Sequence, residues 1–204
     1  MHFSKLFMTA MVGAASAAPA VIQQRAMTSA NVVSAINDIT VLSANLKVTV
    51  QGINFSPIAV LDPSTFTPVV IGFNGIITLV KNDIAAMASN PIGTLDVNGQ
   101  TAVCSAFRNF VTVHQNLLAV LIGKGGLLQS VGGAPIATVL RALEGVVDTI
   151  ADGIIDAVPT CAAGAQSDAA SLKTMIEKAE CAYTPAGTLG LDITCQLLLG
   201  LSSS

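Results

Sequence analysis

SANVVSAINDITVLSANLKVTVQGI, residues 29–53, decides the fold. Its apolar residues Val32, Ile36, Ile39, Leu46, Val50 and Ile53 recur at alternating steps of four and three, with Ser43 in the one missing slot. A helix turns once in 3.6 residues, so this spacing returns every member to one face and predicts an α-helical seam. Val33, Val41, Leu42 and Val48 carry apolar surface beyond that single stripe.

The same period runs through the rest of the chain. After a connection holding Pro57 and Pro63, Thr67-Pro68 supplies an N-cap and a proline at the first helical position. The second helix then carries Val69, Phe73, Ile76, Val80, Ile84 and Met87 to about Ser89, where Asn90-Pro91 stops it. A third helix over 98–122 shows Val103, Phe107, Phe110, His114, Leu117 and Leu121, and Gly123-Lys124-Gly125-Gly126 is expected to end it. Residues 127–134 form a glycine-rich connection, either a lid or a plain linker. A fourth helix runs from near Pro135 to before Pro159, and a fifth over 166–183. No stretch alternates long enough to read as a strand system. The expected fold is all-α, an antiparallel bundle of about five helices occupying residues 29–183.

Composition narrows the function. Apolar residues make up 52% of the 204-residue chain, charged residues 10%, and mean hydropathy is +0.70. Seventeen glycines lift the apolar-plus-glycine share to about 60%, against a usual 45–50%. Such a chain is not disordered. Nine Lys+Arg against twelve Asp+Glu give a net charge of −3 with no basic cluster, which argues against nucleic acid as a partner. No run approaches 18 consecutive apolar residues, so no transmembrane span is expected. Residues 1–17 read as a secretory signal peptide, with Lys5 before a short apolar core and Ala15-Ser16-Ala17 as the cleavage site. Residues 18–28 then form a short N-terminal segment or propeptide. Residues 184–204 form a C-terminal tail.

Cys104, Cys161, Cys181 and Cys195 are an even set in a chain expected to be secreted, which favours two disulfides. With no C-x-x-C and spacings of 57, 20 and 14, a metal site is not expected. Cys161 and Cys181 bracket the fifth helix about 30 Å apart, far beyond disulfide reach. A hairpin of helices three and four would bring Cys104 beside Cys161, leaving Cys181 to hold the tail through Cys195.

No motif demands catalysis. His114 sits on the apolar seam between Phe110 and Leu117, a place for a hydrogen-bonded core or cavity-lining histidine rather than a triad base. Gly123-Lys124-Gly125-Gly126 lacks the phosphate-loop spacing and a preceding strand. Glu144, Asp148, Asp152 and Asp156 form an i+4 ladder that reads as a solvated face. The chain is expected not to be an enzyme, and no cofactor is implied. Val33, Val41, Leu42 and Val48 in helix one, with Val70, Ile71, Ile77 and Leu79 in helix two, leave an apolar surplus. That surplus fits either a large core with a homodimer interface, or a lipid cavity or adsorbing face.

The signal peptide followed by Ala30-Asn31-Val32-Val33-Ser34-Ala35-Ile36-Asn37-Asp38-Ile39 and Val41-Leu42-Ser43-Ala44-Asn45-Leu46 resembles the fungal hydrophobic surface binding protein A family, which includes cell-wall galactomannoproteins. The resemblance spans residues 29–183 and departs from the family in the four cysteines and the lack of a long Ser/Thr-rich stalk. It implies a secreted or cell-wall helical bundle that binds fatty acids or hydrophobic surfaces, and a secreted hydrolase as a further partner. The resemblance transfers no ligand residue; for a lipid site the seams of helices two and three select Phe73, Ile76, Val80, Phe107 and Phe110 as its lining, with His114 the polar group able to meet a carboxylate. The alternative is a secreted interaction protein, a wall component or host-directed effector, whose apolar surplus is a protein–protein interface.

Overall fold

The computed structural model describes residues 26–53, 63–125, 133–184, 195 and 198. The expected signal peptide, residues 127–132 of the glycine-rich connection and most of the tail lie outside these. Among the described residues five helices form: α1 (Ser29–Gly52), α2 (Thr67–Ser89), α3 (Val97–Gly125), α4 (Gly133–Ala157) and α5 (Ala162–Tyr183). Among the described residues there is no strand, and β pairing is limited to one isolated bridge between Met27 and Ile92.

Local chemistry explains most boundaries. Thr28 and Asn31 make a reciprocal capping box that starts α1, each side chain accepting from the other's backbone N–H at 3.1–3.3 Å. Thr67 is not the cap of α2, as the sequence suggested. A 3₁₀ turn, Pro63–Phe66, runs straight into the helix, so Phe66 takes the cap position and Thr67 is already helical. Nor does α3 stop at Ile122. It persists through Gly125 because tertiary contacts hold its end: the Lys124 ammonium donates to the carbonyls of Gln51 and Ile53, closing the C-terminus of α1. A helix α5 expected from 166 instead begins at Ala162, directly after the disulfide-held Cys161.

The helices close into a ring in the order α1, α3, α5, α4, α2 and back to α1. Consecutive helices alternate in direction, as an up-down bundle requires. Around the ring, however, α1, α3 and α5 run parallel. Ser43 meets His114 and Gln51 meets Lys124, while Arg108, Gln115 and Leu121 meet Asp168, Ser171 and Tyr183 in rising order. The expected α3–α4 hairpin is therefore absent: α5 lies between these helices, which barely touch. The disulfide inferred from that hairpin forms all the same, since Cys161 begins α5 beside the start of α3. Cys104 pairs with Cys161 and Cys181 with Cys195, at Cα separations of 6.6 and 5.2 Å. All four cysteines are thus paired, as in proteins of an oxidising compartment. Gln100 reinforces the first bridge, accepting from the backbone N–H and hydroxyl of Thr160 at 2.9 and 2.7 Å. Gly133 permits the α4–α5 contact at the opposite end, for a Cβ there would stand 2.4 Å from the Tyr183 carbonyl oxygen.

Inside the ring a single apolar cluster gathers the seams of all five helices. The α1 seam contributes every residue that the spacing selected from Val32 to Val50, Ser43 included. One helical segment among the described residues, Ser64–Ser89, is long and apolar enough by length and composition to cross a membrane, at a mean hydropathy of 1.4. Counting consecutive apolar residues passes over it, because polar residues are scattered along it. Its inward residues Val69, Phe73, Ile76, Ile77 and Val80 belong to the bundle core, yet only 28% of its most apolar window is buried.

Candidate functional site

The six residues selected from the sequence come together. Phe73, Ile76 and Val80 project from α2, and Phe107, Phe110 and His114 from α3, none more than 3% exposed. His114 is fully buried, its ring 5.4 Å from Phe110 and 6.4 Å from Phe73. Its Nδ1 lies 2.8 Å from Ser43 Oγ, which also donates to the Ile39 carbonyl at 3.0 Å. A hydroxyl has one hydrogen, so both bonds coexist only if Nδ1–H donates to Ser43. Nε2 then faces the apolar interior as a bare acceptor without a partner among the described residues. Burial lowers the imidazole pKa to about 4, so the ring stays neutral at ordinary pH. Ser43, the polar interruption of the α1 seam, is thus the partner of the polar interruption of the α3 seam. The pair is shut inside the core.

The open apolar surface lies one helix layer outward, between α1 and α2. Leu42, Asn45, Leu46 and Thr49 form one wall, and Pro68, Ile71, Gly72 and Gly75 the other, around a groove of about 680 Å³. Its volume suits a small apolar ligand. Gly72 lets Leu46 lie across the floor, where a Cβ would meet the leucine Cδ1 at 2.3 Å. Gly75 leaves the far wall empty, with nothing within 4 Å of where its Cβ would be. Among the described residues no charged side chain lines the groove. A smaller groove of about 370 Å³ between α2 and α4 includes the Asp156 carboxylate. The sequence marked Leu42 and Ile71 as surplus but passed over the two glycines. Glycine inside a helix costs about 1 kcal/mol relative to alanine, so two of them three residues apart were the available signal.

Charge is divided between the two sides of the ring. Among the described residues the ion pairs join α3, α4 and α5: Arg108 with Asp168, Arg141 with Glu180, and Lys173 with both Glu144 and Asp148. The acidic ladder of α4 thus faces α5 at its first two members, while Asp152 and Asp156 stay on the surface, Asp156 at the rim of the smaller groove. The outer faces of α1 and α2 differ. Ser34, Asp38, Val41, Asn45, Val48 and Gly52 repeat the four-three spacing on the side of α1 opposite its buried seam. Pro68, Ile71, Gly75, Thr78 and Asn82 do the same on α2. Of these eleven exposed residues only Asp38 is charged, where about 25–35% is usual for a solvated surface. Val41, Leu42, Val48 and Ile71 are exposed at 57, 37, 67 and 65%. Asp83, deeper between the same helices, has its carboxyl pKa raised by burial and then by the Asp38 charge, and its Oδ2 has no partner among the described residues.

No protein-family model matches this chain, and neither a curated protein nor a solved structure matches it.

Proposed function

We propose that this protein is an extracellular, non-enzymatic binder of linear apolar molecules and hydrophobic surfaces, working through the α1/α2 face. The observation that carries the reading is the groove of about 680 Å³, without charge among its described lining residues, between two helices whose outward valines, leucine and isoleucine stand in water. Exposed apolar patches of this kind mark interaction sites. The paired cysteines and the signal-peptide reading support an extracellular setting. So does the resemblance to hydrophobic surface binding proteins, which also makes the cell wall and a secreted hydrolase natural surroundings. An acyl chain reaching Phe73, Phe110 and His114 would first have to part the helices around them, whereas the groove is already open. Its floor, Leu46 and Gly72, adjoins Phe73 in sequence and Ser43 by one helical turn.

Affinity then comes from area removed from water. Each methylene that enters the groove contributes about 0.8 kcal/mol, close to a fourfold step in Kd. Titration with saturated fatty acids of increasing length is expected to show that step until the groove is filled. A Kd independent of chain length contradicts the reading. Gly75→Leu separates binding from folding. The new side chain has free space and replaces a poor helix former, so stability is expected to rise by about 0.8 kcal/mol, or about 2–4 °C in Tm. The same side chain fills the groove and is expected to weaken binding about tenfold, a gap of 1.4 kcal/mol. Unchanged affinity in a stabilised variant would place the ligand elsewhere.

A further inference from the structure

We infer that the outer α1/α2 face is an interface between two copies of this chain, so that in water each copy covers the other's groove. The inference uses the same face as the proposed ligand but does not depend on a ligand being bound.

Helix α1 carries two seams of identical spacing on opposite sides, and only one of them serves the core. The inner seam, with Ile36, Ile39 and Leu46, is buried. The outer one presents Val41 and Val48 around Asn45, all exposed. Apolar residues flanking a single polar one at this spacing match a helix-pairing seam, in which a lone asparagine fixes register. Ile71 and Gly75 on α2 extend the face and leave room for a neighbouring helix to approach closely.

Area and charge both fit a second copy. The outer row from Ser34 to Gly52 is about 27 Å long, and two helices set 8–10 Å apart present a face about 18 Å wide. Two such faces hide on the order of 1,000 Å², the size of a weak, reversible dimer. Among the eleven residues of the two outer rows Asp38 alone is charged. A two-fold arrangement with α1 antiparallel to its counterpart, centred midway between Ser34 and Gly52, keeps the two Asp38 carboxylates about 15 Å apart along the helices, beyond the screening length at physiological salt, whereas parallel pairing would set them against each other. Isologous association of this kind closes on itself and stops at two. An apolar ligand must compete with the second copy for the groove, so loading is coupled to dissociation.

Sedimentation velocity on the full, disulfide-intact chain through a micromolar dilution series tests this. The wild type is expected to pass from monomer to dimer. Val48→Asp sets new charges across the two-fold and is expected to raise the dimer Kd tenfold or more, by about 1.4 kcal/mol at least. Val48 is 67% exposed, so the variant keeps its fold, and an unchanged thermal midpoint verifies that. Gln166→Asp, on the exposed surface of α5, is expected to dimerise like the wild type. Dodecanoate is expected to lower the dimer fraction. A wild type that stays monomeric overturns the proposal, as does a dimer indifferent to Val48→Asp. A monomer that still binds dodecanoate overturns the dimer alone, and a dimer that never binds it overturns the groove reading alone.

Discussion

Replacing Cys104 and Cys161 together with alanine is expected to lower the stability of the fold by about 4 kcal/mol, because the bridge closes a loop of 57 residues. The effect acts mainly on the unfolded chain, which loses less entropy on folding when two distant points are already joined. Folded contacts cannot substitute for it. Gln100 links the same two segments by hydrogen bonds to Thr160, but those bonds are absent from the unfolded state and do not constrain it. The Cys181–Cys195 bridge spans 14 residues, and its removal is expected to cost about 3 kcal/mol by the same relation. Against a typical total of about 5–15 kcal/mol, either loss is large. Urea midpoints of the two double variants check both values. A loss below about 1 kcal/mol for the Cys104/Cys161 variant would mean that residual structure, not the bridge, restricts the unfolded chain.

Acid is expected to destabilise the fold by about 3 kcal/mol between pH 6.5 and 4, through His114 alone. In the unfolded chain the imidazole takes a proton near pH 6.5, but in the core burial holds its pKa at about 4. Between those values the unfolded state binds a proton that the folded state refuses, so stability falls as pH falls across this window. Below about pH 4 both states are protonated and the loss is complete, at roughly 1.4 kcal/mol for each pH unit crossed. Asp83 works the other way. Its raised carboxyl pKa favours the protonated folded form, so its contribution is largest in acid and is lost as pH rises through the folded value. His114→Leu isolates the histidine, since Ser43 keeps its bond to the Ile39 carbonyl. The stability profile of that variant is expected to lose the drop between pH 6.5 and 4. A profile with the same slope in both proteins would assign the acid sensitivity to other groups.

Most of the fold was legible because burial repeats with the helical period. From Val32 to Val50 the α1 seam enters the core without exception, and on α3 the seam from Val103 to Leu121 does the same. The pairing of the cysteines was also legible, although the neighbour relation used to infer it was not. Nothing in a periodic pattern says which helix sits beside which, and here α5 inserts between α3 and α4. The end of α3 was misjudged because Gly123 and Gly125 are local stop signals, overridden by the Lys124 bonds to α1. The candidate site was legible in part. Leu42 and Ile71 stood out as apolar residues off the seam and now flank the open groove, while Phe73, Phe107 and Phe110 close around His114 in the interior. Periodicity marks which residues face inward. It does not separate a core from a cavity, since both demand the same residues. The difference lies in side-chain volume across the gap between helices, set here by two glycines on α2.

An apolar chain bound along the outside of the α1/α2 pair would shield these two helices from solvent. Amide hydrogen exchange of the full protein, with and without saturating dodecanoate, reads that shielding. Exchange is expected to slow only in the turns around Leu42–Thr49 on α1 and Thr67–Gly75 on α2, an effect lost in Gly75→Leu. Protection centred instead on Phe107–His114 of α3, or no saturable change anywhere, would contradict it.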